Sequence, residues 1–207
     1  MMRVLAVLAL VAAAAFAADV ARVEGLGSGA PSDADELSYY DGTPWWITWG
    51  GVYRGTWFNT EDFYGYETSF LLEMNEQWFY HSSSYPWDTS DIYMEVWEGD
   101  QMGPVTQVDQ TMVTAVHYGP SQVDYDPVLD LPQNFWLAAN TEMSAGGWPS
   151  ILGDNTPNDV NHSFFSDDGI VWEPWIIQGP TADDYTMYAS GEADLNGASW
   201  GSIKALY

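Results

Sequence analysis

Twelve tryptophans and thirteen tyrosines stand against three histidines and no cysteine, so the chain offers flat aromatic faces far more readily than nucleophiles or thiolate ligands. Stacking on a sugar is the chemistry this suits. A pyranose presents apolar C–H faces to an aromatic plane, while Asp, Asn and Gln at the rim take its hydroxyls. The stretch "PWWITWGGVYRGTW", Pro44 to Trp57, is the richest source of such rings and carries Arg54 as its single charge. If it were a strand, alternation would send the neighbours Trp45 and Trp46 to opposite faces, so at most part of it can be core. Trp45 follows Pro44 in loop-like sequence, and Gly50-Gly51 then breaks the run. Trp87 in "SSSYPWDTS", Trp148 in "AGGWPS", and Trp172 and Trp175 in "IVWEPW" also stand in turn-like contexts. Loops on a rigid scaffold tend to carry function. Trp45, Trp46, Trp87, Trp148, Trp172 and Trp175 are therefore the candidate ligand-binding residues, while Trp57-Phe58, in a well-patterned strand, is expected to pack.

A second chemistry is cation binding. Ca²⁺ takes hard oxygens from Asp, Asn and backbone carbonyls, usually in loops. "GDNTPNDVNHS" supplies Asp154, Asn155, Asn158 and Asp159 in one short polar segment with Pro157, and these are the candidate Ca²⁺ ligands. The competing reading is Asx-turn chemistry, in which Asn and Asp cap their own backbone. "EADLNG", from Glu192, resembles the first half of a helix-loop Ca²⁺ site, but its twelfth position is Ile203 where a carboxylate is needed.

Catalysis has weaker support. Glycoside hydrolysis uses two carboxylates about 5 to 10 Å apart, and among 30 acids some pair meets that distance by chance. "HSSS", His81 to Ser84, is the nearest approach to an activated serine, and no Gly-x-Ser-x-Gly elbow accompanies it. His81, His117 and His162 are too scattered for a zinc motif. The expectation is a protein that is not an enzyme.

The elements that would position these residues begin after an N-terminal targeting segment. Met1, Met2 and Arg3 precede an apolar run from Val4 to Phe16, and Ala15-Phe16-Ala17 has the small-x-small pattern of a cleavage site. The run is short of the roughly 20 residues of a membrane span. The expectation is a signal peptide over 1–17 and a secreted protein, extracellular or at the cell surface, without membrane insertion. Residues 18–36, with Gly25, Gly27, Gly29 and Pro31, read as a flexible leader. The formal net charge of −26 repels phosphate backbones and anionic headgroups, which argues against nucleic-acid binding.

From Leu37 onward, short apolar or alternating runs are separated by Gly, Pro, Asn and Asp, which is an all-β texture. The expected strands are "GVYRGTWF", "ETSFLLEM", "EQWFYHS", "DIYMEVWEG", "TMVTAVHY", "NFWLAAN", "HSFFS" and "DDYTMYAS". In "DIYMEVWE", Ile92, Met94 and Val96 form the expected core face, while Tyr93, Glu95 and Trp97 face outward or into a groove. So many short strands without a long helix predict an antiparallel β-sandwich of jelly-roll type, a single domain over 37–190, with 191–207 as a tail or terminal strand.

The ordered pieces "LSYYDGTP", "GVYRGTWFN", "DIYMEVWEGDQMGPV", "QNFWLAAN", "PSILGDNTPNDVNHSFFSDDGIVWEPW" and "DYTMYASG" resemble bacterial secreted jelly-roll β-sandwich domains of modular extracellular proteins, which look like carbohydrate-binding modules. The resemblance covers residues 37–190 and contains no catalytic signature. It implies a non-catalytic module that binds a polysaccharide or surface glycan, or serves adhesion. The alternatives are a self-associating envelope or filament subunit, whose aromatic patches would be interfaces, and a glycoside hydrolase.

Overall fold

The alternation in "DIYMEVWE" becomes strand β6, Asp91–Asp100, with Ile92, Met94 and Val96 wholly buried. This computed structural model describes residues 20–22, 36–40, 46–48, 51–80, 89–144, 148–154, 159–176 and 183–194. They form two antiparallel sheets. The first runs in the order β1 (Val20–Arg22), β3 (Trp46–Thr48), β10 (Ser150–Gly153), β5 (Ser69–Tyr80), β13 (Met187–Asp194) and β2 (Glu36–Leu37). A further strand, β8 (Pro120–Leu131), pairs with β5. The second runs β12 (Glu173–Pro174), β11 (Ser163–Ser166), β4 (Tyr53–Asn59), β9 (Asn134–Asn140), β6 and β7 (Gly103–Thr114).

The chain is an all-β sandwich, because one apolar core joins the inner faces of both sheets. Phe58, Met94, Phe135, Leu137 and Phe165 come from the second sheet and Phe70, Leu72, Phe79, Leu131, Ile151 and Met187 from the first. Phe135 stacks on Phe58 at 5.2 Å and on Phe70 at 5.6 Å, so one ring ties the two layers together. Each such side chain contributes roughly 1.5–3 kcal/mol by leaving water. Among the described residues, no helix is long and apolar enough to cross a membrane. The helix α1, Thr60–Tyr64, is a single capped turn: the Asn59 side chain accepts from the Glu61 N–H, and Gly65 closes it at φ 74°.

Several boundaries differ from those the sequence suggests. "ETSFLLEM" and "EQWFYHS" join into one strand, β5. Its polar centre does not break it because Asn75 and Gln77 are buried and bonded, Gln77 Nε2 donating to Asn75 Oδ1 and to the Ala138 carbonyl. Strand β8 has no counterpart among the expected strands, since Pro120, Pro127 and alternating acids read as loop. An edge position tolerates proline, because one side of the strand needs no ladder donors. Val20–Arg22, within the segment read as leader, pairs with β3, and β13 runs to Asp194, past the domain boundary at 190 that the sequence suggests.

Candidate functional site

The outward face of the second sheet is built from aligned cross-strand rows. Trp57, Trp136 and Trp97 stand beside one another on β4, β9 and β6, with Gln107 next on β7. A parallel row consists of Tyr53, Asn140 and Tyr93. Between them run Gly55, Ala138, Glu95 and Gln110. Period-2 alternation puts the residues of β4, β9 and β6 on one face, and the register shift at Val96/Trp97 brings Gln107 and Gln110, three apart on β7, onto the same face. Because the middle row starts with a glycine and an alanine, it leaves a trough between two rows of larger side chains.

The loop between β11 and β12 folds over one end of this trough and delivers Trp172. Its ring lies 5.2 Å from that of Trp136 and 6.2 Å from that of Tyr53. Gly55 makes the approach possible: a Cβ there would come within 3.1 Å of the Trp172 ring and 3.2 Å of the Trp136 ring. The loop is self-braced. Asp168 Oδ1 accepts the N–H groups of Ile170 (2.8 Å) and Val171 (3.0 Å), the Ser166 hydroxyl accepts from the Gly169 N–H, and Trp172 Nε1 donates to the Gly169 carbonyl. Those backbone donors, Val171 first, hold the Asp168 carboxyl below its ordinary pKa. Trp57, Trp136 and Phe164 are buried as a second apolar cluster beneath Trp97 and Trp172, which stay partly exposed.

The result is a cavity of about 240 Å³ with walls of Tyr53, Trp97 and Trp172 and a polar floor and rim of Glu95, Gln107, Gln110, Asn140, Glu142 and Asp168. At its base Glu95, only 2% exposed, accepts from Trp97 Nε1 (2.8 Å), Gln110 Nε2 (2.9 Å) and Asn140 Nδ2 (2.9 Å). That network orients the Trp97 ring and both amides, so the groove is preformed. Burial, followed by the nearby Glu142 and Glu95 charges, raises the Tyr53 phenol, which remains a neutral hydroxyl at physiological pH. The described lining contains carboxylates and amides but neither Lys nor Arg. It can stack a flat apolar face and hydrogen-bond the hydroxyls around its edge. Glu95 is bound into the sheet by its three donors.

The residues singled out by sequence divide. Trp172 stands at this cavity. Trp175 does not: it is fully buried in the core, its ring 4.5 Å from that of Tyr185 and packed on Gly153, where a Cβ would collide with it. "IVWEPW" thus splits, because only its second tryptophan is carried inward past β12. Trp148, half-buried, lies just before β10 and outside the groove lining, and Trp46 contributes its backbone to β3 rather than to a loop. Trp45 and Trp87 lie outside the described residues.

Of the expected Ca²⁺ ligands, Asp154 is buried and clamped to Asp184: its Oδ1 accepts the Asp184 N–H at 2.9 Å, and its own N–H donates to the Asp184 carbonyl. Asp159 is exposed, and Asn155 and Asn158 lie outside the described residues. Among the described residues, no three His, Cys, Asp or Glu side chains gather as a metal cluster would.

"HSSS", His81 to Ser84, lies outside the described residues. His117 is exposed, and His162 is buried between rings, 3.5 Å from Tyr39 and 5.7 Å from Trp57, with Nε2 at 3.5 Å from Asp62. Burial lowers its pKa to about 4 despite the opposing pull of Asp62.

Sequence alone does not single out Tyr53, Glu95, Trp97, Gln107, Gln110 or Asn140 as site residues. The outward placement of Tyr93, Glu95 and Trp97 is legible from alternation, but the general preference for loop tryptophans points away from strands. No protein-family model, curated protein or solved structure matches this chain.

Proposed function

We propose that this protein is a non-catalytic glycan-binding module that holds an uncharged sugar in the groove on the outer face of its six-stranded sheet. The observation that carries the reading is the combination of Tyr53, Trp97 and Trp172 around one cavity with amide and carboxylate groups at its base. Pyranose recognition needs that pairing of flat apolar walls and fixed hydrogen-bonding groups. The carboxylates Glu95, Glu142 and Asp168 disfavour uronates and sulfated sugars by like-charge repulsion. Secretion, adhesion at a cell surface and support by Ca²⁺ belong to the same proposal and rest on the sequence.

Intrinsic tryptophan fluorescence, titrated with neutral and anionic polysaccharides in Ca²⁺ and again in EDTA, tests it. A saturable shift with a neutral polymer, abolished by Trp172→Ala or Trp97→Ala with the circular dichroism unchanged, is the expected result. No shift with any polymer would sink the reading, and a shift lost only in EDTA would bring in the metal.

Self-association has one observation of its own in favour. Among the described residues, strand β7 pairs only with β6 and so stands at an edge; it bears Asp109 as its single charge and exposes Val105 and Met112. A long, nearly uncharged edge is a template for another chain. Against this, the ladder between β6 and β7 is interrupted at Val96/Trp97 and at Glu98/Gly99, and such bulges blunt an edge. Light scattering over a concentration series, with Val105→Lys as the edge-blocking variant, separates the two readings.

A further inference from the structure

We infer that the groove continues across Trp172 into a second sugar position, so that the ligand is a chain of linked neutral sugars rather than a single ring. The inference rests on the glycan reading above and extends it. A second cavity, of about 270 Å³, is lined by Gln101, Met102, Asn161, Phe164, Trp172 and Pro174. It shares Trp172 with the first, of about 240 Å³. Pockets for drug-sized ligands begin near about 300 Å³, so each cavity suits a smaller guest and only the two together reach that range.

The second cavity repeats the chemistry of the first. Phe164 and Pro174 are cross-strand partners on β11 and β12 and form an apolar base beside the Trp172 ring. Gln101 and Asn161 supply polar groups at the edge, joined by a long 3.4 Å bond from Gln101 Nε2 to the Asn161 carbonyl, which a hydroxyl could replace. No charged side chain stands among these lining residues. The divider is fixed: Trp172 Nε1 is bonded to Gly169, and the ring rests against Gly55 and Gly103. The turn that carries Met102 is fixed as well. The Asp100 side chain accepts the Met102 N–H at 2.8 Å, and the Asp100 carbonyl accepts Trp136 Nε1 at 2.9 Å. Met102 is therefore presented to solvent, 88% exposed, at the mouth of the cavity, where a thioether can adapt to a sugar face.

The experiment compares glucose, xylose and N-acetylglucosamine with their β-1,4-linked oligomers by calorimetric titration, for the intact protein and for a Gln101→Ala/Met102→Ala variant. Both substituted side chains are exposed, so the fold is retained. For the sugar series that binds, affinity is expected to rise about tenfold or more from monosaccharide to oligomer. The variant is expected to lose most of that gain while binding the monosaccharide as before. Affinity independent of chain length, or a variant that binds the oligomer as the intact protein does, overturns the inference and leaves the first position standing. If no sugar of any length binds, the glycan reading itself fails and the second position falls with it.

Discussion

At the scale of single residues, Glu95 ties the base of the groove together. Three N–H donors converge on a carboxylate that is 2% exposed. Glu95→Gln keeps the shape but turns a donor toward donors, leaving at least one buried group unmatched at a cost of about 1–3 kcal/mol. A lower urea midpoint and weaker sugar-induced fluorescence should appear together, and a variant as stable as the parent would show that the network is slack. His162 makes a separate prediction. Its folded pKa of about 4 lies below the ordinary 6.5, so between those values the unfolded chain binds the extra proton. The stability contributed by the neutral buried ring is complete above pH 6.5 and is lost as pH falls toward 4. Urea midpoints followed from pH 7 to 4 should therefore fall more steeply for the parent than for His162→Gln. Parallel curves would mean that the ring is not kept neutral by its burial.

At the scale of elements, the segment from Ser166 to Trp172 positions the site, and its geometry is held by Asp168. The carboxylate is exposed, so its importance lies in shaping the loop rather than in charge burial. Asp168→Ala should release the N–H groups of Ile170 and Val171, loosen the loop and weaken sugar binding several-fold, with little change in thermal midpoint. A large fall in stability with unchanged affinity would reverse that assignment. On the strand side, the trough comes from register. Gly55 and Ala138 keep their ladder pairing, yet they define the space, because bulky neighbours on either side of a small pair leave a channel. A slip of one residue in β9 would turn Trp136 inward and Phe135 outward, destroying both the core and the site.

At the scale of the whole molecule, excess negative charge governs behaviour. With a formal net charge of −26, self-repulsion opposes the compact state. Raising the ionic strength shortens the screening length from about 30 Å at 0.01 M to about 8 Å at 0.15 M. The urea midpoint should rise across that interval and then level off, and an unchanged midpoint would mean that the carboxylates are too dispersed to repel. On the proposed reading the same charge would favour neutral over anionic ligands at the groove, and it opposes association between copies of the chain.

Alternation along the chain was enough to establish an all-β fold, to place Ile92, Met94 and Val96 in the core and Glu95 and Trp97 on the opposite face, and to mark Trp57-Phe58 as packed, because period-2 geometry is a local property of the backbone. Composition supplied the aromatic faces on which the glycan proposal rests. What only the tertiary structure decided was adjacency. Tyr53, Glu95 and Asn140 lie far apart in sequence and meet because β4, β9 and β6 are neighbours in one sheet, an order set by long-range burial that no local pattern encodes. The two tryptophans of "IVWEPW" share one context in sequence, yet one ring forms the wall between two cavities and the other lies sealed against Tyr185. Which side of a sheet a loop folds over depends on what space remains there, and Gly55 and Gly153 create those spaces from distant parts of the chain.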